Sequence, residues 1–273
     1  MPSSRSDDVT AVLQAFGHDV LHDGTPQKPR HGVAGIATEI GQLALRTALP
    51  ATCAGCGMSG TWMCSSCEQS IRAIDQSSVC HRCGYPDCEG ELVCGRCHAW
   101  VDELMASRSA FAFTGSIRST VHLLKYRNEP ARASWCAAAM AKRLMLDQWE
   151  IDAFVPVPLH DSRVRARGYN QSERIAVELS ALTGIPSLAA LRRVRPTISQ
   201  VNLGAQERRD NVRDAFSAVG QLNGLTIALV DDVITTGSTL QESARALVHA
   251  GATCVVAASF SQEVFETQAS RRM

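Results

Sequence analysis

Ile227-Ala-Leu-Val-Asp-Asp-Val-Ile-Thr-Thr-Gly-Ser-Thr239 is the stretch on which the fold turns. The apolar run from Leu225 to Val230 has the length of a buried strand, and it stops at two adjacent acids, Asp231 and Asp232. A short loop of small hydroxyl residues with one glycine follows, and Thr239 to Ala250 then reads as a helix ended by Gly251. At the C-terminal end of a parallel strand such a loop faces the ligand crevice, where the amides of a helix N-terminus favour phosphate. Thr235, Thr236, Ser238 and Thr239 add hydroxyl donors, and Gly237 lets the backbone come close. The two carboxylates would repel a phosphate and suit neutral hydroxyls instead. A ligand with phosphate at one end and vicinal hydroxyls nearby is a ribose 5-phosphate. A capped turn would explain the hydroxyl residues alone, but not paired acids at a strand end. No Gly-Lys-Ser/Thr follows the glycine, so this is not a Walker loop.

Outward from this stretch, strands alternate with helices. Ala110–Phe113, Ile151–Val157, Ala215–Val219 and Ala252–Phe260 read as strands, and Ser116–Arg127, Arg132–Leu146 and Gln171–Thr183 as helices. That alternation predicts a mostly parallel, doubly wound α/β sheet. Phe154 to His160 is broken by Pro156 and Pro158, which ends it at the sheet margin near the same crevice. Arg163, Arg165 and Arg167 follow at alternate positions, before Gly168-Tyr-Asn-Gln171. Read as an extended loop, alternate side chains share a face. Three guanidinium groups on one side suit a diphosphate, or the backbone of single-stranded DNA with Tyr169 as a stacking platform. A solvated loop is the bland alternative.

The other strong pattern is four Cys-x-x-Cys pairs: Cys53 and Cys56, Cys64 and Cys67, Cys80 and Cys83, Cys94 and Cys97. Each pair can place two sulfurs on one ion through a tight knuckle, and two knuckles complete a tetrahedral thiolate cage. Eight cysteines imply two zinc ions, both structural because four thiolates close a site against substrate. Spacing leaves sequential and cross-braced pairing open, although sequential pairing needs only short loops. Cys88, His81 and His98 are spare or substitute ligands, and Cys136 and Cys254 fall in apolar elements as small core residues.

The chain has 273 residues, 45% of them hydrophobic and 20% charged, enough for one core and a smaller unit. Basic and acidic residues balance at 27 each, which excludes coating of nucleic acid by bulk attraction. Between His160 and Arg213, however, ten arginines face five acids. No secretory signal or long apolar run is present, so the expectation is a cytoplasmic protein without membrane insertion, in a compartment where metal is the usual employment of paired cysteines. The expected organisation is a flexible tail over 1–35 and a helix (Ile36 to Leu49) plus double zinc ribbon over 36–100. An α/β domain then covers 101–265, with a tail at 266–273.

The loop resembles the 5-phosphoribosyl-diphosphate signature of type I phosphoribosyltransferases. Pro156-Val-Pro-Leu-His160, the arginine run with Gly168-Tyr-Asn-Gln171, Leu124-Lys-Tyr126, Thr197, Gln200, and Arg208-Arg-Asp-Asn-Val212 before Ala215-Phe216 are similar to the competence protein F family. The resemblance implies a type I phosphoribosyltransferase-like domain behind a zinc ribbon, binding phosphoribosyl diphosphate with magnesium. It gives Asp231 and Asp232 the catalytic, ribose-holding place, Thr235, Thr236, Gly237, Ser238 and Thr239 the 5-phosphate, and Arg163, Arg165, Arg167 and Lys125 the diphosphate. It further implies a part in DNA uptake or nucleotide metabolism, with single-stranded DNA and a DNA-uptake helicase as partners. A non-catalytic single-stranded DNA-binding accessory or a metabolite sensor is the alternative. Nothing in Gln171–Gln206, the segment placed to hood the crevice, marks a purine or pyrimidine pocket.

Overall fold

The computed structural model describes residues 12, 14–16, 51–86, 93–195 and 211–265. The expected helix over 36–49, most of the N-terminal tail, the tail at 266–273, Cys88, Thr197, Gln200 and Arg208 lie outside them. The described elements are α1 (Ser65–Gln69), β1 (Ala106–Ala112), α2 (Gly115–Tyr126), α3 (Ala133–Arg143), β2 (Ala153–Pro156), α4 (Asp161–Arg167) and α5 (Gln171–Thr183). They continue with β3 (Leu191–Arg193), β4 (Phe216–Ala218), β5 (Thr226–Ile234), α6 (Ser238–His249) and β6 (Cys254–Gln262).

β1, β6, β5 and β2 form one sheet in that spatial order, with every pairing parallel. Alternate residues of β5 feed opposite layers, as the period of a strand requires. Ile227 and Leu229 pack with Leu240, Ala244 and Leu247 of α6, whereas Ala228 and Val230 pack with α2, α3 and α5. This is the doubly wound architecture expected from the sequence. Each fully buried aliphatic side chain here contributes roughly 1.5–3 kcal/mol, so the sheet core, far richer in such residues than either cysteine module, carries the fold. The antiparallel pair β3 and β4 lies beside it, and Val12 and Phe16 pack against the α6 layer. Among the described residues no helix is long and apolar enough to cross a membrane.

Three local expectations change. β1 begins at Ala106, well before Ala110, because Ser107 and Ser109 are buried strand residues whose hydroxyls are satisfied internally. Ser107 Oγ donates to the Cys83 carbonyl at 2.9 Å, and Ser109 Oγ lies 2.7 Å from Ser259 Oγ. β5 does not stop at the acids but runs to Ile234, held by β6 through Asp231 opposite Ser259 and Ile234 opposite Gln262. The neighbour that does stop is β2, whose last ladder partner is Pro156 against Val230. One edge of β5 is therefore vacated at the acids. Finally, the arginine run is no extended loop: Asp161–Arg167 is a helix, entered through His160, whose Nδ1 accepts from Ser162 N–H, and left through Gly168 at φ 88°. Those capping signals outrank the period-two spacing of the arginines.

Candidate functional site

A cleft of about 500 Å3 opens where β2 leaves β5. Its wall includes Lys125, Arg163, Arg167, Asp231, Asp232 and the whole run Thr235 to Thr239, so nearly every residue singled out from the sequence meets in one place. Arg165 is the exception. On a helix it faces away from Arg163 and Arg167, which are four apart and share a face. Tyr169 is no stacking platform either, since it is buried and its hydroxyl donates to the Leu124 carbonyl. The exposed aromatic at the cleft is Tyr126, with the Arg167 guanidinium 5.4 Å from its ring centre.

The acids are held by the start of α5. Ser172 Oγ donates to Asp231 Oδ1 at 3.0 Å, Gln171 Nε2 to Asp232 Oδ1 at 3.2 Å, and Lys125 Nζ sits 2.6 Å from Asp232 Oδ2. Burial, with the neighbouring Asp232 charge, pushes the Asp231 carboxyl up to about 7, against the pull of Lys125 and its hydrogen bonds. Across the cleft, burial and the adjacent Arg163 bring the Arg193 guanidinium down to about 10. Cations are crowded at one wall and carboxylates at another, an arrangement that a ligand bearing both anionic groups and hydroxyls would relieve.

The loop itself is shaped by Gly237, which caps α6 at φ 77°. A Cβ there would lie 2.5 Å from Cζ2 of Trp100, so the indole forms the back of the loop. Thr236 Oγ1 and Ser238 Oγ are 2.8 Å apart at the same turn. Trp100 follows the last cysteine of the second cluster, and Val101 N–H donates to Gln241 of α6. Sequence reasoning missed Trp100, Arg118, Arg193 and Glu263 because chain folding alone brings them to the cleft. Gln171 was legible as the end of the Gly168-Tyr-Asn-Gln171 run, and Ser172 only as part of a helix.

The cysteines gather sequentially, Cys53, Cys56, Cys64 and Cys67 in one set and Cys80, Cys83, Cys94 and Cys97 in the other, with the sulfurs of each set within 4.8 Å of one another. Separations of 3.7 Å for Cys56–Cys64, 3.6 Å for Cys80–Cys97 and 3.4 Å for Cys83–Cys94 match the edge of about 3.8 Å of a tetrahedron with Zn–S bonds near 2.3 Å. The donor set and its size fit zinc. Both knuckles are built alike, with Gly57 N–H donating to Cys53 O and Gly84 N–H to Cys80 O, each at 2.9 Å. Burial opposes ionisation of Cys53 and Cys80, yet backbone amides outweigh it and bring each thiol down to about 6, whereas hydrogen bonding with neighbouring thiols pushes Cys67, and burial pushes Cys97, up to about 12. His81 and His98 are exposed and stand outside both sets.

Comparison with known proteins agrees in kind. The phosphoribosyl transferase domain model matches residues 126–264, and the double zinc ribbon domain model residues 44–98. The chain is 34% identical over 203 residues to DNA utilization protein YhgH of Salmonella typhimurium, covering 71% of this chain and 87% of that protein. With Competence protein F of Haemophilus influenzae the identity is 32% over 200 residues, 68% of this chain and 83% of the other. Among solved structures, the purine phosphoribosyltransferase of Pyrococcus horikoshii is 20% identical over 51% of this chain and 76% of its own, with a TM-score of 0.30, too low to bear on the site.

Proposed function

The chain belongs to the phosphoribosyl transferase domain family, carries a double zinc ribbon and has relatives that include Competence protein F and DNA utilization protein YhgH, and from that premise we propose that its cleft binds 5-phosphoribosyl diphosphate with magnesium. The observation that carries this reading is the single cleft in which a glycine-hinged hydroxyl loop, two β5 carboxylates and a wall of guanidinium groups meet. Amides and hydroxyls of Thr235 to Thr239 take the 5-phosphate. Asp231 and Asp232 take the ribose hydroxyls. Arg163 and Arg167 take the diphosphate by charge-assisted hydrogen bonds, joined by Lys125, which lines the same cleft beside Asp232. The carboxylate oxygens are hard donors suited to magnesium, which when bound would neutralise the leaving diphosphate. Two zinc ions in the cysteine sets are structural in this account.

By its relatives' names, we infer service in the handling or utilization of DNA. An exposed Tyr126 beneath Arg167 favours a second reading, in which a single DNA strand stacks at the cleft mouth. Calorimetric titration with phosphoribosyl diphosphate and magnesium tests the first reading. We expect binding by the native chain and its loss in Asp231→Asn with Asp232→Asn; equal binding by the variant would remove the acids from the site. Salt-sensitive binding of a single-stranded oligonucleotide that falls in Arg163→Ala with Arg167→Ala tests the second.

A further inference from the structure

We propose that a second cavity, beside the phosphate loop but separate from the cleft, binds one small oxyanion of phosphate size through Gln241, Arg245 and Arg213. The cavity measures about 150 Å3, against about 500 Å3 for the cleft. Ala99, Val101 and Val212 give it apolar sides, and α6 closes it with Gln241, Glu242 and Arg245, which share one face of the helix. Ser238 is common to both walls, but the cavity takes in neither acid of β5 and neither Thr235 nor Thr236. Pockets that enclose drug-sized ligands run to roughly 300–1,000 Å3, so this one suits a compact ion and not a nucleotide.

Gln241 carries the argument. It is 5% exposed, and its Oε1 accepts from Val101 N–H at 3.2 Å. That bond fixes which end of the amide is oxygen, and it leaves the Nε2 donor to the cavity that Gln241 lines. Among the described residues this Nε2 has no hydrogen-bond partner. A donor so deeply buried is costly to leave without an acceptor, and an oxyanion supplies one. Charge agrees, since Arg213 and Arg245 outnumber the one carboxylate of the wall, Glu242. Both oxygens of Glu242 are already engaged, Oε1 by Arg245 Nη1 at 2.6 Å and Oε2 by Asp214 N–H at 3.3 Å. Arg245 spends one nitrogen on that pair, and its side chain is 42% exposed, so the rest of its planar fork is open to a second anion.

Crystals of the zinc-loaded full chain, grown without sulfate or phosphate and soaked in tungstate, test the site, because the anomalous signal of tungsten locates a phosphate-sized oxyanion directly. We expect a peak within hydrogen-bond reach of Gln241 Nε2 and Arg245, distinct from any peak on Thr235 to Thr239. Gln241→Glu keeps the acceptor for Val101 N–H and exchanges the donor for a charged oxygen, so the cavity peak should vanish. Arg245→Met, at a partly exposed position that the fold does not depend on, should weaken inorganic phosphate there about 10-fold by calorimetric titration, and Arg245→Lys should recover part of the loss. An empty cavity at saturating tungstate overturns the proposal. A peak that persists in both Gln241→Glu and Arg245→Met marks an adventitious ion only and overturns it equally. A cavity peak with none on the hydroxyl loop supports this site and counts against the 5-phosphate placement in the cleft, so the two readings fail separately.

Discussion

In the first cysteine module Cys56 is exposed and Cys67 partly so, whereas all four cysteines of the second are buried. The knuckles are alike, so the difference comes from what surrounds them. The second module is wedged against the sheet. A Cβ on Gly84 would lie 2.5 Å from the Ser107 carbonyl of β1, Gln262 reaches the Cys83 carbonyl, and Trp100 backs the phosphate loop. The first module contributes no residue to the cleft and is tied down by Arg132, a fully buried side chain that donates to Trp62 O at 3.2 Å and Thr52 O at 3.0 Å and pairs with Glu129. One cage is part of the site's scaffold, and the other is a staple on α3.

Removing each cage should separate them. Cys80→Ser with Cys83→Ser should abolish ligand binding and cost most of the stability, since a structural zinc contributes on the order of 10 kcal/mol to folding. Cys53→Ser with Cys56→Ser should leave binding measurable. Metal analysis should fall from two zincs per chain to one in both variants, and similar melting and binding losses in the two would erase the comparison. Arg132→Met is the next largest effect, about 2 kcal/mol by denaturant unfolding, because it leaves the half-buried Glu129 and two carbonyls of the first module without their donor. Ligand affinity should be spared.

Gly237→Ala should cost roughly 1–3 kcal/mol through its positive φ and the encroachment on Trp100, and should weaken ligand binding. Pairing it with Trp100→Leu relieves the clash but not the backbone strain, so only partial recovery is expected. The smallest effect concerns pH. Asp231 is raised from 3.8 to about 7, so the folded state favours the proton, and native stability declines as pH rises from about 4 through 7. Asp231→Asn lacks that decline and should be more stable than native at pH 8, with the gap closing towards pH 4. A constant difference across that range would contradict the assigned burial.

The β5 loop and the cysteine pairs were legible because each is local: a strand end, a glycine and hydroxyls in one run, or sulfurs three residues apart. β1 was half hidden, since its inward-facing serines look polar until Ser259 and Cys83 are seen to satisfy them. The arginine run misled because alternate spacing was weighed above the His160 and Gly168 caps. Tyr169, read as an exposed platform, is buried, while Tyr126 is the exposed one, which no periodicity over so short a run around Tyr169 distinguishes. Glu263 and Trp100 carry no motif at all. They reach the cleft because the second module and β6 pack together.

A crystal structure with phosphoribosyl diphosphate and magnesium tests the central claim most directly. The account predicts the 5-phosphate on Thr235 to Thr239, the ribose hydroxyls at Asp231 and Asp232, and the diphosphate against Arg163 and Arg167. A ligand bound elsewhere, or a cleft left empty at saturating ligand, would contradict it.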